Sequence, residues 1–242
     1  MITGKPVELG GIELRSDATA QGAYFIAQEM TAQFLSDKKT TDITVAIQGF
    51  GNAGLFMAEK MFADGYKVIA VSDSQGAIYN LNGLDIAKLS VFKSQGNPVA
   101  SFTDGEIITN QQLLELDVDI LALAALENQI TQVNAPNIKA RYIIELANGP
   151  IDFEADKILD NAGKIIVPDI LANSGGVIVS YFEWAQNRTG QILEAEYLKN
   201  LLEKKMRNNW RRMFSLFKEK EGISLRQAAY ILAVRRILAA KH

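Results

Sequence analysis

The feature of this 242-residue chain that most constrains its fold is a glycine-rich turn between a strand and a helix. In ITVAIQGFGNAG, a β-branched run ends at Gln48, directly before Gly49, Gly51 and Gly54, and a helix is predicted from about Asn52. In G-x-G-x-x-G the first glycine permits a tight turn, the second lets the backbone approach a pyrophosphate, and the third lets the helix pack closely. The free N–H groups at the helix start also favour phosphate. The pattern therefore predicts a dinucleotide-binding βαβ unit.

An acidic residue follows at the spacing that such a unit requires. Asp73 ends the second predicted strand, 24 residues after Gly49, close to the usual spacing of about 20. Its carboxylate is expected to accept hydrogen bonds from the adenosine ribose and to repel a 2′-phosphate. The predicted cofactor is therefore NAD, with NADP left open. The alternative is that Asp73 only closes a turn with its neighbours Ser72 and Ser74.

Short β-branched runs alternate with helical patterns along the chain, which is typical of βαβ units. We predict an α/β fold of the Rossmann type, with a doubly wound, mostly parallel sheet, helices on both faces and a helical C-terminal extension. Residues 1–242 are expected to form a single dinucleotide-binding domain, with a core over about 40–170 and flanking helices over 16–37 and 171–240. The predicted strands cover 43–48, 67–72, 118–123, 142–147 and 164–168, with a short strand at 78–79, and the predicted C-terminal helices cover 171–188, 193–218 and 224–239.

Composition excludes several kinds of chemistry. The chain has no cysteine and a single histidine, His242, so a cysteine nucleophile, a histidine general base and a Cys/His metal site are not expected. We predict no metal. The longest apolar run, over 120–126, falls far short of the roughly 18 residues of a membrane span, and residues 1–30 show no signal-peptide pattern. We therefore expect no membrane association and a cytoplasmic location.

The C-terminal part of the chain is basic. Residues 191–242 hold 12 of the 25 Lys and Arg residues but only 5 of the 28 Asp and Glu residues. A basic helical end can indicate nucleic-acid binding. Trp210, Phe214 and Phe217, however, recur at helical spacing, which is typical of amphipathic helices with solvated basic faces. We therefore expect no nucleic-acid partner.

Six stretches together resemble the glutamate/leucine/phenylalanine/valine dehydrogenase family, and the last of them is most similar to the glutamate branch. The resemblance covers essentially the whole chain but corresponds only to the second half of that two-domain enzyme. The stretches are TGKPVELGG (3–11), RSDATAQG (15–22), QGFGNAG (48–54), ENQIT (127–131), ELANGP (145–150) and NSGGVIVSYFEWAQN (173–187).

The resemblance implies roles for individual residues. Thr19 and Asn52 match residues that hold the nicotinamide carboxamide, and Asn148 matches one beside the nicotinamide ribose. Asn173 matches a residue near the substrate α-carbon. The cofactor site is further predicted to include Phe50 and Ala53 in the glycine-rich turn, Ser74 after Asp73, and Ala124 and Ala125. Val177 and Ser180 match the wall and the hydroxyl that meet the glutamate side chain.

Each of these residues also has a simpler interpretation. Thr19 and Asn52 are residue types that satisfy helix starts, Asn148 begins good turn chemistry, and Ser180 can bond a backbone carbonyl within a helix. The chain also departs from the family pattern, with Ala20 in place of glycine, Ala53 in place of valine and Leu123 in place of proline.

The implied reaction is NAD(P)-dependent oxidative deamination of L-glutamate to 2-oxoglutarate and ammonia. In the family the catalytic lysine and aspartate lie in an N-terminal domain, and this sequence contains no equivalent stretch. We therefore assign no catalytic residue and expect the isolated chain to bind cofactor without turnover. The full-length enzyme is expected to be a homo-oligomer. The alternative is a non-catalytic dinucleotide-binding or regulatory protein.

Overall fold

A seven-stranded sheet runs through the centre of the computed structural model, which describes residues 2–240. The strands are β1 (Thr44–Gln48), β2 (Lys67–Asp73), β3 (Gly76–Tyr79), β4 (Glu106–Ile108), β5 (Ile120–Leu123), β6 (Tyr142–Glu145) and β7 (Ile165–Val167). Their order across the sheet is β4-β3-β2-β1-β5-β6-β7. β1, β2, β5, β6 and β7 pair in parallel, whereas β3 and β4 extend one edge in antiparallel pairing.

Helices cover both faces of this sheet, so the predicted doubly wound, mostly parallel architecture is confirmed. The smaller face is covered by α4 and α5, and the larger face by the remaining helices. The helices are α1 (Ala18–Phe34), α2 (Asn52–Ala63), α3 (Ile86–Ser94), α4 (Asn110–Leu114), α5 (Phe153–Asn161), α6 (Asp169–Ala172), α7 (Ser174–Thr189), α8 (Ala195–Glu219) and α9 (Leu225–Ala239).

The central strand shows why the strand sequences are almost continuously apolar. Successive side chains of a strand point to opposite faces, so Val45 and Ile47 enter the core on one side of the sheet and Ala46 enters the core on the other. All three side chains are fully buried. A strand covered on both faces needs apolar residues at consecutive positions.

Several local predictions differ from the structure. The helix expected over 16–37 begins only at Ala18, and the Asp17 carboxylate accepts from the Gln21 side chain rather than from a backbone N–H. The helix expected over 171–188 is divided at Asn173 into α6 and α7. Strand β4 was not predicted, because it is three residues long and largely exposed. Helix α7 ends at Gly190, which has a φ of 71°.

The order of the strands creates a crevice at one place in the sheet. The chain leaves β1 towards β2 on one side and later returns to pair β5 on the other side of β1. In open α/β sheets, ligands bind outside the carboxyl ends of the strands at such a switch point. Because β1 ends at Gln48, the crevice lies at the glycine-rich turn.

Within 2–240, no helix combines the length and the apolarity needed to cross a membrane. The same residues contain no group of three or more His, Cys, Asp or Glu side chains placed to hold a metal ion. His242 lies outside the described residues.

Candidate functional site

The three glycines of the turn have different steric surroundings. Gly49 has a φ of 91°, and a Cβ added there would lie 2.7 Å from the backbone of Ala124. A Cβ on Gly54 would lie 1.8 Å from the carbonyl oxygen of Gly49. A Cβ on Gly51 would meet nothing within 4 Å. The first and third glycines are therefore required by packing within the chain, whereas Gly51 leaves its backbone open to the crevice.

Helix α2 begins immediately beyond this open position. Its N-terminal residue, Asn52, is exposed, and no side chain among the described residues caps the helix start. The first N–H groups of a helix have no partner within the helix and carry partial positive charge. This helix of 12 residues therefore presents anion-binding groups beside Gly51.

An open groove of about 550 Å³ runs along the turn and the ends of the neighbouring strands. It brings together seven of the residues that the sequence analysis assigned to the cofactor: Gly49, Phe50, Gly51, Asp73, Ser74, Ala124 and Ala125. Phe50 as a whole is 1% exposed, and its side chain lies in the core. Asn52, Ala53 and Gly54 lie in the first turn of α2, where Ala53 packs against the core.

Asp73 lies in this groove, but its carboxylate is already engaged. Oδ2 accepts from Lys93 Nζ at 2.5 Å and from the backbone N–H of Val99 at 3.0 Å, and Oδ1 accepts from the N–H of Gln75 at 2.8 Å. Burial tends to raise the pKa of Asp73, but the bonds from Lys93 and the two N–H groups outweigh it and hold the pKa below its usual value. The Asp73 carboxylate therefore closes the turn between β2 and β3 through the N–H of Gln75, and ribose binding by Asp73 stays a prediction.

Polar residues that the sequence analysis missed complete the groove. Gln48 is 1% exposed and donates from Nε2 to Gln129 Oε1 at 2.6 Å. Gln48 Oε1 is buried without a hydrogen-bond donor among the described residues. Ser72 accepts from the N–H of Gly49 and donates to Asn110 Oδ1 at 3.0 Å. Gln48 could have been predicted from the sequence, because it directly precedes Gly49. Asn110 and Gln129 are distant in sequence, and only the fold brings them to the groove.

A second group of predicted residues lies past the ends of β6 and β7. Asn173 Nδ2 donates to Asn148 Oδ1 at 2.8 Å and to the carbonyl of Leu146. Gly149, which follows Asn148 in the sequence, donates its N–H to the Asp169 carboxylate at 2.9 Å. The turn that contains Asn148 is thus held from both sides, and its exposed side-chain amide is fixed by Asn173.

The remaining predicted residues meet where α1 packs against α7. A Cβ on Gly176 would lie 2.5 Å from Thr19 Oγ1, so the absence of a side chain lets Thr19 approach α7. Ser180 Oγ donates to the carbonyl of Gly176 at 3.0 Å, as the simpler interpretation predicted. It also accepts from Arg15 Nε at 3.0 Å, a contact that the sequence did not predict. Val177 is 67% exposed on the same helix.

The groove and the turn that carries Asn148 are linked at the carboxyl edge of the sheet. The N–H of Asn128 donates to Gly149 O at 2.9 Å, and the N–H of Gln129 donates to Pro150 O at 2.7 Å. The loop that lines the groove is therefore bonded to the turn that carries Asn148. Thr19, Asn148, Asn173, Val177 and Ser180 do not line the groove itself.

Comparison with known proteins identifies the family of this chain. A model of the Glutamate/Leucine/Phenylalanine/Valine dehydrogenase family matches residues 10–242. The chain belongs to this family. The resemblance found in the sequence motifs is thereby confirmed.

Individual members of the dehydrogenase family are similar to this chain along almost its whole length. An NADP-specific glutamate dehydrogenase of Synechocystis is 45% identical, over 98% of this chain and 57% of the relative. A cryptic catabolic NAD-specific glutamate dehydrogenase of Bacillus subtilis is 44% identical, over 99% of this chain and 55% of the relative. The crystal structure of a hetero-hexameric glutamate dehydrogenase from Thermus thermophilus, in its Leu-bound form, superposes with a TM-score of 0.86 at 29% identity, over 97% of this chain and 55% of that chain. This chain thus spans little more than half the length of these relatives.

Proposed function

We propose that this chain is the cofactor-binding domain of a dehydrogenase that oxidatively deaminates L-glutamate to 2-oxoglutarate and ammonia with NAD(P). The observation that carries the proposal is the open groove beside Gly51, at the switch point of a chain that belongs to a dehydrogenase family. The choice of glutamate is supported by the names of the relatives, which include NADP-specific and NAD-specific glutamate dehydrogenases.

The residues of the groove fit a dinucleotide. The open backbone at Gly51 and the start of α2 suit a pyrophosphate, because they combine close approach with free N–H donors. Gln48 Oε1 is an acceptor awaiting a donor, and Asp73 is an acceptor at the end of β2. A bound nicotinamide would supply hydride transfer. The role of this chain is to bind and orient the cofactor.

The substrate is proposed to lie along α7, between Val177 and Ser180. Arg15 contacts Ser180 and forms no ion pair with any of the described residues. A guanidinium without a carboxylate partner suits an anionic side chain such as that of glutamate. Asn148 and Asn173 are proposed to face the reacting end, with Asn148 oriented by the bond between them.

No residue of this chain is proposed as a catalytic acid or base. The lysine that lines the groove, Lys93, is held by Asp73, and Lys5 is held by Glu183 at 2.8 Å. General acid–base catalysis contributes about 10²–10⁴-fold, and positioning by a second domain contributes about 7–11 kcal/mol more. We therefore propose that residues 1–242 bind cofactor but do not turn over glutamate.

Joining this chain to the N-terminal part of the Synechocystis relative that it does not cover tests the proposal. The fusion should form NADH or NADPH in the presence of glutamate, whereas residues 1–242 alone should not. Gly51→Val in the fusion is the control for the groove and should abolish activity. Turnover by the chain alone would overturn the proposal, and nucleotide binding by a folded but inactive fusion would favour the non-catalytic alternative.

We further propose that residues 1–242 act as a single domain with its core over about 40–170. A homo-oligomer is proposed for the full-length enzyme. The Thermus relative is a hetero-hexamer, which supports an oligomeric state. The absence of a nucleic-acid partner and a location in the cytoplasm stay predictions.

A further inference from the structure

The turn that carries Asn148 is held by hydrogen bonds rather than by side-chain packing at its tip. Gly149, which follows Asn148, has a left-handed φ of 54°, and a Cβ there would meet no atom of residues 2–240 within 4 Å. The carbonyl of Gly149 accepts from the N–H of Asn128, whose φ of 53° is unusual for a residue other than glycine. Such backbone persists only where its surroundings hold it, and it clusters at functional sites. The bonds to this turn therefore decide where the Asn148 side chain lies.

Asp169 makes one of these bonds and is itself fixed by three neighbours. Its Oδ2 accepts from the N–H of Gly149 at 2.9 Å. Its own N–H donates to Glu145 Oε2 at 2.9 Å, and its Oδ1 accepts from the N–H of Ile170 at 2.7 Å. Arg226 Nη1 lies 3.6 Å from the same Oδ1. The end of β6 and helix α9 thereby fix the carboxylate that binds the turn.

Asp169 and Asn173 bind neighbouring groups of the turn from one face of α6. The N–H of Asn173 donates to the carbonyl of Asp169 at 3.0 Å, so a single helical turn separates the two residues. Helical residues at this spacing lie on the same face. Asp169 accepts from the backbone of Gly149, and Asn173 donates to the side chain of Asn148 at 2.8 Å. One short helix therefore fixes both the backbone of the turn and the amide that the turn presents.

We propose that Asp169 is a positioning residue that holds Asn148 where it meets the nicotinamide ribose of the cofactor. The inference rests on the proposed function, which places Asn148 at the reacting end of the site. Asp169 acts through the N–H of Gly149 and does not itself contact the cofactor. Without this bond the Asn148 amide would be tied to Asn173 on a turn that moves. A turn that is fixed before binding raises affinity, because binding then does not have to order it.

Amide hydrogen exchange in the complete chain tests this geometry without any cofactor. Asp169→Asn keeps the shape of the side chain but leaves one acceptor oxygen. That oxygen should turn towards Arg226 and the N–H of Ile170, so the NH2 group faces Gly149 and the bond to the turn is lost. Exchange at the Gly149 N–H should then rise by about 10-fold or more, the scale of one lost hydrogen bond.

Asp85→Asn is the matched control for hydrogen exchange. Asp85 also accepts a backbone N–H at a helix start and pairs with a lysine, and it does not line the groove. Its replacement should leave exchange at Gly149 unchanged.

Titration of the same proteins with NAD and ADP tests the effect on the cofactor. ADP ends at the pyrophosphate and lacks the nicotinamide ribose. Asp169→Asn should weaken NAD binding by about 10-fold and ADP binding by less than about 2-fold. Retained ADP binding also shows that the variant is folded. Asp169→Ala, which removes both oxygens, should give the same result.

Three outcomes would overturn the role of Asp169 and leave the groove assignment intact. They are unchanged exchange at Gly149 in Asp169→Asn, equal weakening of NAD and ADP, and the same loss of NAD affinity in Asp85→Asn. Binding of neither nucleotide by the parent chain would overturn the groove assignment itself, and the inference with it.

Discussion

Arg226 Nη2 lies 2.7 Å from Oε1 of Glu145, joining the last helix to the carboxyl end of β6. The Glu145 side chain is fully buried, and its second oxygen accepts from the N–H of Asp169 at 2.9 Å. Arg226 Nε also lies 2.9 Å from Asp156. Burial raises the pKa of Glu145, and the hydrogen bond and charge of Arg226 oppose that rise. Helix α9 thereby stabilises the strand end that leads into the turn at Asn148.

Replacing Arg226 should therefore cost far more stability than replacing an exposed arginine of the same helix. Arg226→Met leaves a buried carboxylate unpaired, which should lower the free energy of unfolding by about 3–5 kcal/mol. Arg235→Met is the matched control, because Arg235 is exposed, and it should change stability by less than about 0.5 kcal/mol. Urea unfolding of both variants checks this. A similar small loss in both would show that the buried pair contributes little.

The acid stability of the chain should depend on Glu183, which anchors the N-terminal segment to α7. Its buried carboxylate accepts from the N–H groups of Gly4 and Lys5 and from Lys5 Nζ. Burial tends to raise its pKa, but these bonds outweigh burial and lower it. A carboxyl with a lowered folded pKa contributes stability above its unfolded pKa of about 4.3, and that contribution is lost as the pH falls through the folded value.

In Glu183→Gln the free energy of unfolding should therefore fall less steeply as the pH drops below about 4.3. The slope should decrease by at most about 1.4 kcal/mol per pH unit. Unfolding in urea at a series of pH values measures this slope. Glu8→Gln is the control, because Glu8 is exposed and should leave the slope unchanged. An unchanged acid slope in Glu183→Gln would contradict the assigned role.

The sequence predicted the sheet better than it predicted the contacts of the site. Continuous apolar runs such as that of β1 are visible locally, because burial on both faces dictates them. Strand β4 was missed because only pairing with β3 makes its exposed residues a strand. The motif predicted the need for glycine at positions 49 and 54, and the structure agrees, because a Cβ at either position would clash with backbone atoms. The partners of Asp73 and Ser180 were missed because Lys93 and Arg15 approach them only through packing of distant elements.

Ser180 should influence which amino acid the fusion enzyme prefers. Its hydroxyl bonds Arg15, and Ser180→Leu would replace this polar contact with a branched apolar side chain. We expect the ratio of kcat/KM for glutamate to that for leucine to fall by at least about 10-fold, since a site built for a polar group strongly disfavours its loss. Thr189→Leu, at the exposed end of the same helix, should leave the ratio unchanged. Equal loss for both substrates would show that Ser180 does not contact the side chain of the substrate.

Calorimetric titration of NAD into the 242-residue chain and into Gly51→Val tests most directly whether the glycine-rich turn is the cofactor site. A valine side chain at Gly51 would meet no neighbouring atom within 4 Å of its Cβ, so the variant should fold and yet block the approach of a pyrophosphate. Ala63→Val, at the exposed far end of α2, controls for the added bulk. The predicted result is NAD binding by the parent chain and by Ala63→Val, with no detectable binding by a folded Gly51→Val. Equal NAD affinity in all three proteins, or no binding by the parent chain at millimolar NAD, would contradict it.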